Sequence, residues 1–479
     1  VTHPLQRAKP SVERTQHRQT EANATGASAD TACDWLIVGG GVHGVCVGTH
    51  LLAAGVPRDR LRIVDPHDEL LASFESRART CGTRTLRSPV GHHVAVADDS
   101  LEQFAVEHDR EVELLSTTDY PRRPTLDLFL DHARTVVHET GLSDCHVRAT
   151  VTGLNRADTT EETETAPETE TAAKTETAAE AETDLWRVAT TAGSHHAHNV
   201  VLAVGLDSGP SLPDWARELP ADAPVWHVWE EEFELACVTD DDRRPVVIGG
   251  GVTAAQLACR LAAETPTTLL CRSGMETEQA EAAASWAEWE QITTRLHTYP
   301  PGAPERHELV RRERNDGTIP PYLRWRIQKA RSNGALTTAV REVTDLSVEQ
   351  ATTETATAGG VTDADGGQQS ARQVDIHLNC GTTLENVAVV LATGVESVVS
   401  DPLVETVAAE LELARDEAGY PILDDTTLAW RRRDGTRTSV FVTGSLALTT
   451  VGPLAPNVVG ARLAARRLSE VAERVSHGS

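Results

Sequence analysis

The sequence predicts an α/β protein with two Rossmann-like dinucleotide-binding domains, each of which carries a small antiparallel β-meander. The first observation is that an apolar run followed by a glycine-rich turn occurs twice, at residues 34–44 and 244–254. The second is that each turn reads G-x-G-x-x-G/A and leads into a stretch rich in alanine and leucine. This order of strand, tight turn and helix is the dinucleotide-binding fingerprint.

The first copy supplies the features that the fingerprint requires. Gly39 makes the sharp turn, Gly41 lets the backbone approach a pyrophosphate, and Gly44 lets the helix pack closely on its strand. About twenty residues later a strand-like run ends in Asp65, where an acid binds ribose hydroxyls. We therefore predict that these four residues contact a dinucleotide. An ordinary acid at the end of a strand is the alternative interpretation of Asp65.

The second copy differs after its turn. Gly249, Gly251 and Ala254 repeat the fingerprint, but Arg272 stands where an acid would favour NAD. A guanidinium suits the 2′-phosphate of NADP, so these residues predict an NADPH site, with a solvated surface arginine as the alternative for Arg272. Two sites in one chain indicate two dinucleotides, normally a flavin such as FAD and the nicotinamide that reduces it. The pattern therefore predicts a flavin oxidoreductase.

Composition limits the partners of the chain. The 479 residues carry a formal net charge of −28, from 72 acids against 44 bases, and only three of the bases are lysines. This composition resembles that of proteins from extreme halophiles, whose acidic surfaces stay hydrated in salt. Such a charge argues against nucleic acids and anionic membranes as partners. We expect a small-molecule substrate, and the sequence leaves the oligomeric state open.

The cysteines and the apolar runs exclude further classes. The eight cysteines are scattered without a C-x-x-C pair, so neither a zinc ribbon nor a dithiol redox centre is predicted, and buried reduced thiols are expected. No metal-ligand spacing is present in the sequence. No apolar run reaches the length of a membrane span, and no signal peptide is visible. We predict a cytoplasmic protein.

The domain organisation follows from the repeated order of elements. In both halves two strand-like runs flank a low-complexity tract rich in threonine and acids, which we interpret as a disordered insertion at a hairpin tip. Each half then ends in a buried strand. The predicted parts are a disordered tail at 1–30, an FAD-binding part at 31–215 with an insertion at 158–184, an NAD(P)H-binding domain at 216–394 with an insertion at 349–371, and a second FAD-binding part at 395–479.

This order resembles a known group of flavoproteins. The motifs follow one another in the order fingerprint, A-x-G, fingerprint, A-T-G and a final T-G-S before a helix. This order is similar to that in the class B flavin monooxygenases, the ornithine and lysine N-hydroxylases and the pyridine-nucleotide disulfide oxidoreductases. The resemblance covers nearly all of residues 31–473 apart from the two tracts. It implies that the terminal segments hold FAD and the middle segment holds NADPH, with Gly444 and Ser445 near the flavin ribityl chain. The disulfide-reductase branch requires a redox cysteine pair, which this chain lacks.

The resemblance also suggests residues near the flavin ring. Residues 85–93 stand where N-hydroxylases place side chains beside the flavin, although the Trp, Met and Gln expected there are absent. Arg84, Arg87, His92 and His93 are therefore the catalytic candidates. The alternative for the histidines is a surface turn, and the arginines could instead bind an anionic substrate or the FAD phosphates.

A second candidate region departs from the acidic composition. Residues 286–326 combine Tyr322 and three tryptophans, Trp286, Trp289 and Trp325, with seven arginines. Such a mixture could line a cleft for an anionic substrate or an NADP phosphate. The alternative, which we favour, is helix packing with surface ion pairs.

Together these observations predict an FAD-dependent NAD(P)H oxidoreductase, in particular an N-hydroxylase-like flavin monooxygenase that acts on a small molecule. Two alternatives remain open at this point. One is an NAD(P)H dehydrogenase that reduces a quinone or another small acceptor. The other is a flavin-binding sensor without turnover.

Overall fold

The computed structural model describes residues 32–157, 184–205, 209–230, 233–239, 241–350 and 372–477. The predicted tail at 1–30 lies outside these residues, as does each predicted insertion apart from Asp184 at the end of one and Glu349 and Gln350 at the start of the other. In the described part of the chain, no helix is both long and apolar enough to cross a membrane.

The strands form two large sheets and two small ones. Their bounds are β1 (Cys33–Val38), β2 (Leu61–Asp65), β3 (Leu114–Thr117), β4 (Tyr120–Pro124), β5 (His146–Arg148), β6 (Val151–Arg156), β7 (Trp186–Thr190), β8 (Gly193–Leu202), β9 (Val225–His227), β10 (Arg244–Ile248), β11 (Thr267–Cys271), β12 (Leu336–Val340), β13 (Val343–Gln350), β14 (Arg372–Leu378), β15 (Thr383–Leu384), β16 (Val387–Leu391), β17 (Ala429–Arg431) and β18 (Arg437–Val442).

Several of the helices pack against strands of the large sheets. Their bounds are α1 (Val42–Ala53), α2 (Ala72–Thr80), α3 (Ser100–Glu107), α4 (Leu126–Thr140), α5 (Ala236–Thr239), α6 (Val252–Leu261), α7 (Trp289–Arg295), α8 (Pro304–Glu313), α9 (Pro321–Ser332), α10 (Pro402–Glu410), α11 (Leu448–Val451) and α12 (Val458–His477).

The first large sheet has the order β17-β18-β8-β1-β2-β5, and β1 lies parallel to both β2 and β8. β8 belongs to two structures at once, because its early residues pair antiparallel with β7 while its late residues run parallel to β1 and β18. This strand therefore joins the dinucleotide-binding sheet to its meander of β6, β7 and β8. Strands from residues 33–202 and 429–442 share this sheet.

The second large sheet has the order β12-β11-β10-β16-β9, and all of its pairs are parallel. Its strands come from residues 225–391, and β13, β14 and β15 form the accompanying antiparallel meander. Two sheets built around parallel strands, each with an antiparallel meander, confirm the predicted fold class. The domain limits at 215 and 394 stay predictions.

Two strand predictions are wrong in the same way. The strand-like run before the first low-complexity tract, residues 146–154, is divided into β5 and β6, and the run before the second tract, residues 339–346, is divided into β12 and β13. In the first case β5 pairs with β2 and β6 pairs with β7, so the chain changes partner at the break. The break matters for the candidate site, because Ala149 and Thr150, which lie at it, line the cavity between the two glycine-rich turns that is described below.

Close packing at α1 fixes the first fingerprint in place. α12 packs along α1, and the small side chains of Ala461 and Ala465 share one buried cluster with Val45 and Leu51. Alanines at this crossing let the two helix backbones approach closely. The C-terminal segment thus supports the N-terminal fingerprint through buried apolar contacts.

Candidate active site

The first glycine-rich turn forms an open cradle at the start of α1. Gly39 has φ +105°, and a Cβ on it would collide with the carbonyl oxygen of Ala203. A Cβ on Gly44 would collide with the carbonyl oxygen of Gly39. By contrast, a Cβ on Gly41 would have no atom within 4 Å. The first two glycines are needed for packing, whereas Gly41 faces open space at a helix N-terminus, which suits a pyrophosphate.

Asp65 at the end of β2 is tied to this turn. Its Oδ2 accepts a hydrogen bond of 2.6 Å from the backbone N–H of Gly40. Its Oδ1 accepts from the backbone N–H of His67 at 3.0 Å and pairs with the ring Nδ1 at 2.8 Å. Each carboxylate oxygen can accept two hydrogen bonds, so Oδ2 keeps one lone pair for a ribose hydroxyl. The position and the donor set fit the predicted role.

A cavity of about 930 Å³ extends from this turn to the second fingerprint. Gly39, Gly41 and Asp65 line one part of it, and Val252 and Gln256 at the start of α6 line another. Residues from further segments add to the wall, among them Thr85 to Ser88, Ala149 to Thr152, Asp401 to Leu403, and Pro456 to Val458. One continuous space therefore reaches both sites predicted for dinucleotides, as a hydride transfer between two cofactors requires.

His43 is a cavity residue that sequence reasoning did not single out. Its Nδ1 lies 2.9 Å from Oγ1 of Thr443, and burial lowers its pKa to about 4, so the ring is neutral near pH 7. Gly444 has φ +70°, and a Cβ there would approach the same ring at 3.7 Å. Gly444 therefore lies against His43, and neither Gly444 nor Ser445 is among the described residues that line this cavity.

The second turn repeats the geometry of the first. Gly249 has φ +154°, and a Cβ on it would collide with the carbonyl oxygen of Ala392 and reach 3.0 Å from the Cβ of Ala254. A Cβ on Gly251 would again have no atom within 4 Å. Arg272 follows directly after β11 and is exposed, so its guanidinium is available to a phosphate. This cradle fits a second dinucleotide.

The two arginine candidates differ in position. Arg87 lines the cavity, but its guanidinium is already bonded to three oxygens across the chain: the carbonyls of Glu278 (2.7 Å) and Gln279 (3.1 Å) and Oγ1 of Thr318 (3.0 Å). It therefore links the segment after α2 to the loops around the second sheet. Arg84 is exposed and lines two other cavities rather than the main one.

The two histidine candidates lie away from the cavity. His93 is fully buried, its Nε2 lies 3.0 Å from the carbonyl oxygen of Asp98, and its own carbonyl accepts a hydrogen bond from Arg462. Burial lowers the pKa of both His92 and His93 to about 4. Among the described cavity-lining residues neither histidine occurs, so the structure gives His93 a packing role.

Three further side chains line the cavity near the second fingerprint, and of these the sequence indicated only Tyr322, as part of the stretch at 286–326. Gln256 on α6 accepts a hydrogen bond of 3.0 Å from Oγ1 of Thr83. The hydroxyl of Tyr322 donates to the carbonyl of Thr85 at 3.2 Å, and burial raises its pKa. Glu281 lines the same end of the cavity with 24% of its side chain exposed. The one feature of the sequence that could have indicated Gln256 as a cavity residue is its position on the predicted helix, two residues after Ala254.

Most of the aromatic and basic stretch at 286–326 is structural. Trp286 is fully buried, and Arg295 stacks on its ring at 4.8 Å while pairing with Glu313 at 2.7 Å. Arg306 is 1% exposed and forms two 2.7 Å bonds to the carboxylate of Asp425. These contacts agree with the packing interpretation for this part of the stretch.

The comparisons with known proteins agree with this geometry. A family model described as FAD-NAD(P)-binding matches residues 36–176, and one described as L-lysine 6-monooxygenase/L-ornithine 5-monooxygenase matches residues 168–394. No curated protein matches the chain.

Several solved structures share the fold at low identity. The reduced ornithine hydroxylase of Pseudomonas aeruginosa is 16% identical with a TM-score of 0.64, over 93% of this chain and 99% of that one. The Kutzneria sp. 744 ornithine N-hydroxylase with reduced FAD, NADP⁺ and L-ornithine is 18% identical with a TM-score of 0.65, over 93% and 100%. The L-lysine 6-monooxygenase of Pseudomonas syringae is 17% identical with a TM-score of 0.62, over 92% and 99%.

The chain is thus a flavoprotein with two dinucleotide-binding domains, similar to the N-hydroxylating flavin monooxygenases. It is an FAD-dependent NAD(P)H oxidoreductase of the monooxygenase kind and acts on a small molecule. FAD and a nicotinamide dinucleotide, NAD(H) or NADP(H), are its cofactors, in agreement with the two fingerprints.

Proposed function

We propose that this enzyme hydroxylates the amine nitrogen of a small aliphatic amine, with L-ornithine and L-lysine as the first substrates to test. The observation that supports this proposal most directly is that one cavity extends from the first glycine-rich turn to α6 and is also lined by the carboxylate of Glu281. The description of the family model at 168–394 and the ornithine held in the Kutzneria structure support this substrate class.

We assign the cofactor contacts by segment. In this proposal Gly39, Gly41, Gly44 and Asp65 hold FAD, with Gly444 and Ser445 behind them, and residues 31–215 and 395–479 form its domain. Gly249, Gly251, Ala254 and Arg272 hold NADPH within residues 216–394. When bound, NADPH supplies a hydride to FAD, and reduced FAD supplies the reactivity with oxygen. The chain supplies the two cradles and their common cavity.

Glu281 is our candidate for recognition of the substrate amine. An aliphatic ammonium needs an anionic partner when it leaves water, and a partly buried carboxylate meets that need. Glu281 forms an ion pair with Arg87, but the 3.7 Å between its Oε1 and Nη1 of Arg87 is too long for a hydrogen bond, so its oxygens can accept from another donor. Arg87 is then a positioning residue, since its bonds to the 278–279 backbone and to Thr318 hold the Glu281 loop in place.

The test is product formation by the FAD-loaded enzyme with NADPH in air. We expect a hydroxylamine product from ornithine or lysine, in step with NADPH consumed. Glu281→Gln should raise the KM for the amine about tenfold while NADPH affinity is unchanged, because the substitution removes one charge-assisted hydrogen bond to the substrate. NADPH-dependent reduction of a quinone without a hydroxylated amine would reject the proposal and favour the dehydrogenase alternative. The predicted cytoplasmic location stays a prediction.

A further inference from the structure

A second cavity, of about 430 Å³, lies along α9 and reaches the C-terminal end of α6. Dinucleotide phosphates bind at the opposite, N-terminal end of such a helix, where Gly251 lies. The cavity touches the main one only through Thr85 and Tyr322, which line both. It is therefore a separate space from the two cofactor clefts.

The wall of this cavity has an unusual charge for this protein. Arg84, Arg326 and Lys329 line it, and no described lining residue is an acid. The whole chain has a net charge of −28, and Lys329 is one of only three lysines in the sequence. None of the three cations has a carboxylate within 4 Å among the described residues. Arg84 and Arg326 also line a neighbouring cavity together with Glu113, Asp127, Glu234 and Glu264, but Glu113 pairs with Arg110 and Asp127 pairs with Arg79.

Helix-end electrostatics explain only part of this set. The helix dipole favours cations in the last turn of a helix, which accounts for Lys329 and Arg331 in the last turn of α9. Arg326 lies in the middle of α9, and Arg84 comes from a different segment of the chain. These two side chains converge on one space without an anionic partner, which indicates a site for an anion.

An exposed indole completes the cavity. All nine tryptophans fall in the described part of the chain, and Trp325 is the one that is exposed, at 61%. Its ring stands in the cavity wall, with Nζ of Lys329 at 5.3 Å from the ring centroid. A large aromatic side chain beside unpaired cations favours a ligand that stacks and carries negative charge.

We propose that this cavity binds an aromatic organic anion, a carboxylate or a phosphate, independently of both cofactors. The aromatic body of the ligand packs on Trp325, and its anionic group accepts hydrogen bonds from Arg326, Lys329 and Arg84. The site goes beyond the proposed function, because it contains none of the residues assigned to FAD, NADPH or the amine.

The experiment is calorimetric titration of the FAD-loaded enzyme, saturated with NADP⁺, with phenyl phosphate and with benzoate. We expect at least one of them to bind, inorganic phosphate to bind more weakly, and neutral benzyl alcohol not to bind. The tighter of the two aromatic anions identifies the anionic group. Repeating the titration at higher salt should weaken binding, because exposed cations are screened.

Variants assign the binding to named side chains. Arg326→Gln should weaken the aromatic anion about tenfold or more, and Trp325→Ala should weaken it without affecting inorganic phosphate. Arg331→Gln is the matched control, since it removes the same charge from the same helix outside the cavity, and it should leave binding unchanged. The proposal is overturned if neither anion binds, if benzyl alcohol binds equally well, or if the double variant Arg326→Gln with Lys329→Gln retains full affinity.

Discussion

The substitution Gly41→Ala should weaken FAD binding without lowering the stability of the fold. Gly41 has φ −72° and ψ −168°, an extended conformation that alanine adopts without strain, and its Cβ would meet no protein atom within 4 Å. The protein should therefore fold and melt as the wild type does. The added methyl occupies the space through which a pyrophosphate approaches the N–H groups at the start of α1.

The size of the effect follows from the hydrogen bonds that the added methyl group prevents. Displacing the pyrophosphate by about 1 Å breaks about two charge-assisted hydrogen bonds, each worth roughly 1.5–3 kcal/mol. A net cost of about 3 kcal/mol corresponds to about a hundredfold weaker FAD binding, at 1.4 kcal/mol for each factor of ten. The assay is titration of the apoprotein with FAD, together with the thermal midpoint of the apoprotein.

Gly251→Ala is the matched control, because Gly251 has the same open environment and φ −93°. It should leave FAD binding intact and weaken NADPH instead. Gly44→Ala should lower the thermal midpoint itself, since its Cβ would collide with the backbone oxygen of Gly39. If Gly41→Ala binds FAD as tightly as the wild type, the pyrophosphate does not lie on the N-terminus of α1.

Two other predictions concern specificity and acid stability. Arg272→Ala should raise the KM for NADPH about tenfold and leave that for NADH unchanged, because only NADPH carries the 2′-phosphate; an equal effect on both would refute the assignment. Burial lowers the pKa of His93 to about 4 and that of His132 to about 3, from 6.5 when unfolded. Above pH 6.5 each histidine is neutral in both the folded and the unfolded chain. As the pH falls from 6.5 toward 4, only the unfolded chain binds protons at these histidines. The free energy of unfolding therefore falls by up to about 3 kcal/mol per histidine. Denaturant melts of His132→Phe across this range should show a shallower fall than the wild type, and an unchanged slope would contradict the reasoning.

The sequence predicts the two sheets because each fingerprint is a local pattern. Glycines at the turn, the apolar strand before it and the helix after it lie within about fifteen residues, and each has a physical reason at its position. The strand breaks at Ala149 and at Arg341 escape prediction because side-chain alternation continues while the partner strand changes. The alternation of apolar and polar residues predicts which face of a strand is buried, but it does not predict which strand pairs with it.

The rest of the site depends on contacts that are remote in the sequence. The sequence predicts His93 near the flavin, but its carbonyl bonds to Arg462, which is 369 positions away. Glu281 reaches the cavity from a loop, and no local motif marks it. Tyr322 lies in the stretch at 286–326, but the sequence does not distinguish it from the aromatic residues there that pack in the core. Such residues become visible only when the chain is folded.

The most direct test of the central claim is an absorbance spectrum of the purified protein, before and after NADPH is added without oxygen. A bound flavin that NADPH bleaches is the result predicted for two dinucleotide sites that share one cavity. A colourless protein that does not take up added FAD, or a bound flavin that NADPH fails to reduce, would contradict it.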